Sequence, residues 1–163
     1  MGITPFPREK IARLLLKLYH TCLGWAIGRN LRCLLAVALA VRVLTAWPLQ
    51  QPGYMDAAYY LVGGQRLYQG YGFSEPFLWN YLDNPRGIPH PSHLYWMPLA
   101  SVLVHLSFLV FGPSYRAAQV PFIVLSALVP PLTAWLSWQM TRNRRHAWVA
   151  GLLALFSGFY MAY

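Results

Sequence analysis

The sequence predicts an all-α integral membrane protein. About three transmembrane helices are expected, with a large outer loop that carries interfacial helices and an amphipathic N-terminal helix. Three observations predict this class. Hydrophobic residues make up 57% of the 163 residues and charged residues only 10%, against about 25% charged in ordinary soluble domains. The apolar residues gather into runs of the length that crosses a bilayer, about 20 residues. The basic residues give a formal net charge of +9 and stand at the ends of those runs, where they set orientation in a membrane. They form no patch with interleaved aromatics on a polar fold, so nucleic acid is not an expected partner.

Residues 1–30 read as a basic cytoplasmic segment. Ile11, Leu14, Leu15, Leu18 and Cys22 recur at helical spacing beside Arg13 and Lys17. Such a helix lies on the membrane surface with its cations toward anionic headgroups. A signal anchor that joins it to the next run is the alternative. Cys22 and Cys33 have no C-x-x-C spacing and read as small apolar fillers.

Residues 31–163 contain four apolar stretches, at 31–49 (broken by Arg42), 94–111, 117–140 and 147–163. Loop charge decides between them. The first segment carries Arg8, Lys10, Arg13, Lys17, Arg29 and Arg32, and a later turn carries Arg142, Arg144 and Arg145. Both belong on the cytoplasmic side, which requires an even number of spans between them. Three candidates lie there, so one does not cross. Stretch 94–111 is the weakest, with Pro98 near its start and Tyr95 and Trp96 in its first turn. It is expected to lie along the outer surface. Helix 31–49 then goes out, helix 117–140 returns despite a kink expected at its Pro130–Pro131 pair, and helix 147–163 goes out again.

This topology makes residues 50 to about 115 one outer loop, too long for a passive connection. It holds three of the four acids, Asp56, Glu75 and Asp83, together with Arg66, Arg86, His90 and His93; Arg116 stands at its far edge. Residues 56–69 read as a helix that stops at Gly70, with Asp56, Tyr60 and Gly63 or Gly64 on one face. The Gly63–Gly64 pair allows another helix or a ligand to come close. Asp56 has two readings, a functional carboxylate or an N-cap. His90 and His93 are three apart in a proline-rich segment, where they could hold a phosphate, a metal or a sugar, or make structural hydrogen bonds. Arg42 is a functional candidate because a charge in a membrane helix is expensive; snorkelling toward the outer headgroups is the alternative. Glu75 and Arg86 read as solvated or as paired with each other.

The ordered set of features carries a resemblance. A first apolar helix leads to D-x-x-Y-Y-x-x-x-G-x-x-L-x-x-G from Asp56 to Gly70. HPSHLYWMPL, FGPSYRAAQ, a long apolar helix, a basic turn and another apolar helix follow. Over about residues 31–163 this resembles the N-terminal part of the glycosyltransferase-C superfamily. It is most similar to family-39-like membrane transferases, relatives of protein O-mannosyltransferases and of the lipid A aminoarabinose transferase. The resemblance implies transfer of a sugar from a polyprenyl-phosphate-linked donor to an acceptor glycan, lipid or protein on the non-cytoplasmic face. It implies Asp56 as the catalytic carboxylate, in a position where many relatives carry a pair of acids and this chain has Met55. Candidates facing the lipid phosphate or substrate are Arg66, His90, His93, Arg116 and Arg42, with Tyr59, Tyr60, Asp83 and Arg86 behind them. A divalent cation held by Asp56 and His93 is a further possibility, and no cofactor is firmly implied. The family look suggests the plasma membrane of a prokaryote. Superfamily members have many more spans, so an N-terminal fragment is the expectation. Readings of other classes are a non-catalytic membrane protein that binds a lipid-linked sugar or a partner subunit, and a small transporter component.

Overall fold

The computed structural model describes residues 27–78 and 85–157. The expected N-terminal amphipathic helix and Asp83 lie outside these residues. Five helices follow in order: α1 (Ile27–Ala46), α2 (Met55–Tyr68), α3 (Leu99–Phe111), α4 (Tyr115–Thr141) and α5 (Arg144–Leu155). Between α2 and α3 lie two strands of two residues each, β1 (Ser74–Glu75) and β2 (His90–Pro91). They pair antiparallel, Ser74 opposite Pro91 and Glu75 opposite His90. This small ladder is absent from the all-α expectation, because a two-residue strand leaves no readable period.

Helix α4 organises the rest, packing against α1, α3 and α5. Ser114 caps its start by accepting the Ala117 N–H at 3.1 Å, the usual role of serine at that position. Pro121, Pro130 and Pro131 lie inside α4, which nevertheless runs unbroken for 27 residues. A proline has no N–H for the carbonyl four residues back. Pro121 therefore releases the Ala117 carbonyl, and the Ser107 hydroxyl of α3 takes it up. The buried residues Val104, Phe108, Ala117 and Ala118 surround that bond, with Leu61 and Phe122 packed against them. Deeper along α4, Ala127 meets Ala38 of α1 and Leu155 of α5 in a second core. A Cβ on Gly151 would press on Leu34, Ala134 and the Pro130 carbonyl, so the glycine lets α5 approach both neighbours.

Among the described residues, α4 is the one helix long and apolar enough to cross a membrane, with mean hydropathy 1.7. Its length is about 40 Å, against about 30 Å of hydrocarbon. The expected three spans are not supported on the same measure. Helix α1 has 20 residues, but Arg29, Arg32 and Arg42 dilute its apolar character. The 12 described residues of α5 rise only about 18 Å. Helix α3, with 13 residues of which Ser101, His105 and Ser107 are polar, rises about 20 Å, and it too falls short of the hydrocarbon thickness.

Candidate functional site

Helix α2 begins at Met55 and ends with Gln69 as its C-cap. Gly70 follows at φ +83°, a conformation that glycine adopts without strain. The expected stop at Gly70 is thus where the helix ends. The N-cap reading of Asp56 is overturned: Tyr54 occupies that position and makes no side-chain cap bond, while Asp56 sits inside the first turn. There its charge is favourable beside the free N–H groups of the helix start. Asp56 is half-buried. One turn on is Tyr60, whose pKa is raised above 10.0 by burial and, secondarily, by the Asp56 charge.

The glycine pair on the same helix has a defined use. A Cβ on Gly64 would collide with the Val104 side chain, and one on Gly63 would collide with the Ser101 hydroxyl. Ser101 is fully buried, and its hydroxyl donates to the Tyr60 carbonyl at 3.1 Å. The close partner is therefore α3, and α2 is locked onto it along the face that carries Asp56 and Tyr60.

His93 sits over this face. Its Nε2 would lie 3.1 Å from a Cβ on Gly63. Its ring runs nearly parallel to Tyr60, at 11° and 6.4 Å between centroids. The rings of Tyr59 and Phe73 meet it edge-on at 5.1 and 5.6 Å. Its backbone has φ +61°, an uncommon conformation for a residue other than glycine. The Tyr59 hydroxyl holds that backbone by accepting the His93 N–H at 2.7 Å. Both ring nitrogens are buried and make no hydrogen bond of normal geometry among the described residues. Burial pulls the imidazole below its ordinary 6.5, opposed by the nearby Trp96 backbone. A neutral, aromatic-walled histidine results.

Behind it lies a polar core. Glu75 is 5% exposed and His90 equally buried, with His90 Nε2 3.4 Å from Glu75 Oε1 and 3.0 Å from the Phe77 carbonyl. The Tyr59 phenol also hydrogen-bonds Glu75. Desolvation is the largest cause pushing Tyr59 up to about 12, and the Glu75 carboxylate adds to it, partly offset by the His93 N–H. The expectation that Glu75 is solvated or paired with Arg86 is corrected. Register brings it to His90, whereas Arg86 is exposed. Arg86 lines an open cleft of about 660 Å³ between Pro85 and Tyr95.

The remaining candidates separate by what they touch. Arg66 donates from Nε and Nη2 to the Ser74 hydroxyl at 3.0 and 2.9 Å and lies over the Tyr71 ring at 4.5 Å. It fastens the end of α2 to β1 and is spent on that contact. Arg116 is exposed and stacks over Trp47 at 4.4 Å. Arg42 is only 3% exposed, which overturns the snorkelling reading. The structure thus brings together Asp56, Tyr59, Tyr60, His90 and His93 on and behind α2. Arg42 and Arg116 belong to a second place, where α1 meets α4. Among the described residues no group of three or more His, Cys, Asp or Glu could hold a metal ion. Gln119 is a polar residue that sequence reasoning passed over, while Ser101 and Glu75 were seen without their partners, the Tyr60 carbonyl and His90. For Glu75 the usable signal was its flank of Phe73 and Phe77, which marks an acid inside an apolar turn.

Among the described residues, the fold and site define a helix-rich chain with one candidate membrane span and a half-buried carboxylate on a helix locked onto α3. Comparison of the chain with protein-family models, with curated proteins and with solved structures gives no match.

Proposed function

We propose that the chain is a membrane glycosyltransferase, or the N-terminal portion of one, that moves a sugar from a polyprenyl-phosphate-linked donor to an acceptor on the non-cytoplasmic face. The observation that carries this reading is Asp56. Its carboxylate makes no hydrogen bond or ion pair among the described residues, while its helix is held rigid by α3, Tyr59 and His93. A sugar hydroxyl is a weak nucleophile, and a positioned carboxylate can take its proton as it attacks the anomeric carbon. The bond to the carrier breaks on the other side, and the phosphate leaves with the electron pair. Exposed Arg116 and Arg86 are the cations able to meet that charge.

The membrane setting rests on surface chemistry. On α4, Leu125, Leu132 and Leu136 are about half exposed, and on α3 Leu109, Val110 and Phe111 are more so. Contiguous apolar surface of this extent calls for lipid or a partner. In the proposed topology α1 goes out, α4 returns, and Arg142, Arg144 and Arg145 lie inside, in the plasma membrane of a prokaryote. One observation favours a second reading, a non-catalytic protein that binds a lipid-linked sugar: Arg66, His90 and His93 are engaged by the protein itself. Replacement of Asp56 by Asn in the membrane-embedded protein decides between them. Loss of sugar transfer from a polyprenyl-phosphate donor with donor binding retained supports the enzyme; unchanged transfer removes Asp56 from the mechanism.

A further inference from the structure

The turn between α4 and α5 gathers positive charge that no described carboxylate offsets. Arg142 is the C-cap of α4. Arg144, Arg145 and His146 fill the first turn of α5, which holds no acid. All four are exposed, and the three arginines make no ion pair among the described residues. Exposed Arg32 of α1 stands at the same end, because Leu34 meets Gly151 and Ala38 meets Leu155, which sets α1 parallel to α5. The described carboxylates are elsewhere: Glu75 faces His90, and Asp56 is on α2, which packs on α3. Cations at the start of a helix also oppose its dipole. The free N–H groups of that helix end are not what waits for a ligand, since the Asn143 side chain already accepts the Arg145 N–H at 2.9 Å. It is the guanidinium groups that call for an anion from outside the chain.

The surface that continues from these cations selects the kind of anion. Trp148, Val149, Leu152 and Phe156 follow Arg145 at steps of three, four, seven and eleven residues, which is one face of α5, and all are exposed. On the α4 side Arg142 lies over the Trp138 ring at 5.9 Å, and Leu136 and Met140 are exposed in the last two turns. From Arg145 to Phe156 the helix rises about 17 Å, close to half of the roughly 30 Å of bilayer hydrocarbon. One end of this stripe is cationic and the rest is apolar over the depth of one leaflet. A soluble anion would leave the apolar part bare, and a nucleic acid or an acidic protein would bring no hydrocarbon to it. A lipid with an anionic headgroup answers both parts, and phosphate matches the arginine fork.

We infer that the α4–α5 turn and the exposed face of α5 form a seat for an anionic phospholipid, its headgroup on Arg142, Arg144 and Arg145 and an acyl chain along Trp148, Leu152 and Phe156. The seat rests on the membrane setting of the proposed function and not on sugar transfer. It does not involve Asp56, and it lies about 40 Å along α4 from Arg116.

The test is thermal unfolding of the whole chain in phosphatidylcholine nanodiscs with increasing phosphatidylglycerol, and with inorganic phosphate or polyglutamate as the soluble anions. The seat predicts a Tm that rises and saturates with phosphatidylglycerol and moves with neither soluble anion. Arg144→Gln and Arg145→Gln, both at exposed positions, should each raise the phosphatidylglycerol fraction at half-response about fivefold, the worth of one arginine near an anionic surface. Leu152→Ala keeps every arginine and should also raise it severalfold, because the acyl chain loses a contact. A flat Tm across the lipid series, a rise that the double arginine variant keeps in full, or the same rise with inorganic phosphate or polyglutamate overturns the seat. A response that Leu152→Ala leaves unchanged belongs to surface charge alone and overturns it too. A chain that does not enter the discs overturns the seat together with the membrane setting. One that enters them without responding to phosphatidylglycerol overturns the seat and leaves the transferase reading standing.

Discussion

The Tyr59 hydroxyl accepts the His93 N–H at 2.7 Å and also hydrogen-bonds the Glu75 carboxylate. One phenol thereby joins α2, β1 and the turn after β2. Tyr59→Phe keeps the ring contacts and removes both bonds, leaving a backbone N–H and a buried carboxylate short of a partner. The expected loss is about 1–3 kcal/mol, measured as a lower unfolding midpoint in denaturant. An unchanged midpoint would mean that water replaces the hydroxyl there.

The glycine pair of α2 should tolerate no side chain. Gly64→Ala drives a methyl into Val104, and Gly63→Ala drives one into Ser101 and His93. Alanine is the better helix former by about 1 kcal/mol, so an isolated helix would gain. Here overpacking, which costs about 1–3 kcal/mol, should win. The direction of the change in Tm for each variant is the check; a rise would show that α2 does not lie against α3 as described.

Ser107→Ala should unpair the Ala117 carbonyl that Pro121 leaves without its helical N–H. About 1 kcal/mol is expected. The double variant Ser107→Ala with Pro121→Ala should recover most of that loss, because the helix then bonds its own carbonyl. Independent, additive effects would contradict the pairing.

Acid should loosen the loop through His93. Burial holds its folded-state pKa below 6.5, so the unfolded chain takes up the proton first. The stabilising contribution of neutral His93 is complete above pH 6.5 and is lost as pH falls below it. The midpoint should therefore drop on acidification, and His93→Asn, which tolerates positive φ, should flatten that dependence. At the alkaline end the sign is opposite. Tyr59 contributes fully below pH 10 and progressively less as pH rises from 10 toward about 12.

Local features were readable from the chain. Gly70 ended α2 because a glycine stop needs nothing distant, and Gly63–Gly64 indicated close approach because the absence of a side chain shows in any context. The apolar length of α4 was equally plain. What failed depended on long-range register. Glu75 and His90 become partners only when two-residue strands align, and Arg66 is spent on Ser74 after the chain turns at Gly70 and Gly72. Arg42 was visible as a charge in an apolar run, but the closure of α1 on α4 over it was not.

The proposed function requires α4 to cross a membrane with the loop of residues 50–115 outside. Single cysteines at Ser114 and Asn143, both exposed at opposite ends of α4, test this directly in a chain whose Cys22 and Cys33 are replaced by alanine. In intact cells, a membrane-impermeant maleimide should label position 114 and leave position 143 unlabelled until the membrane is opened. Labelling of both in intact cells, or of 143 alone, would contradict the account.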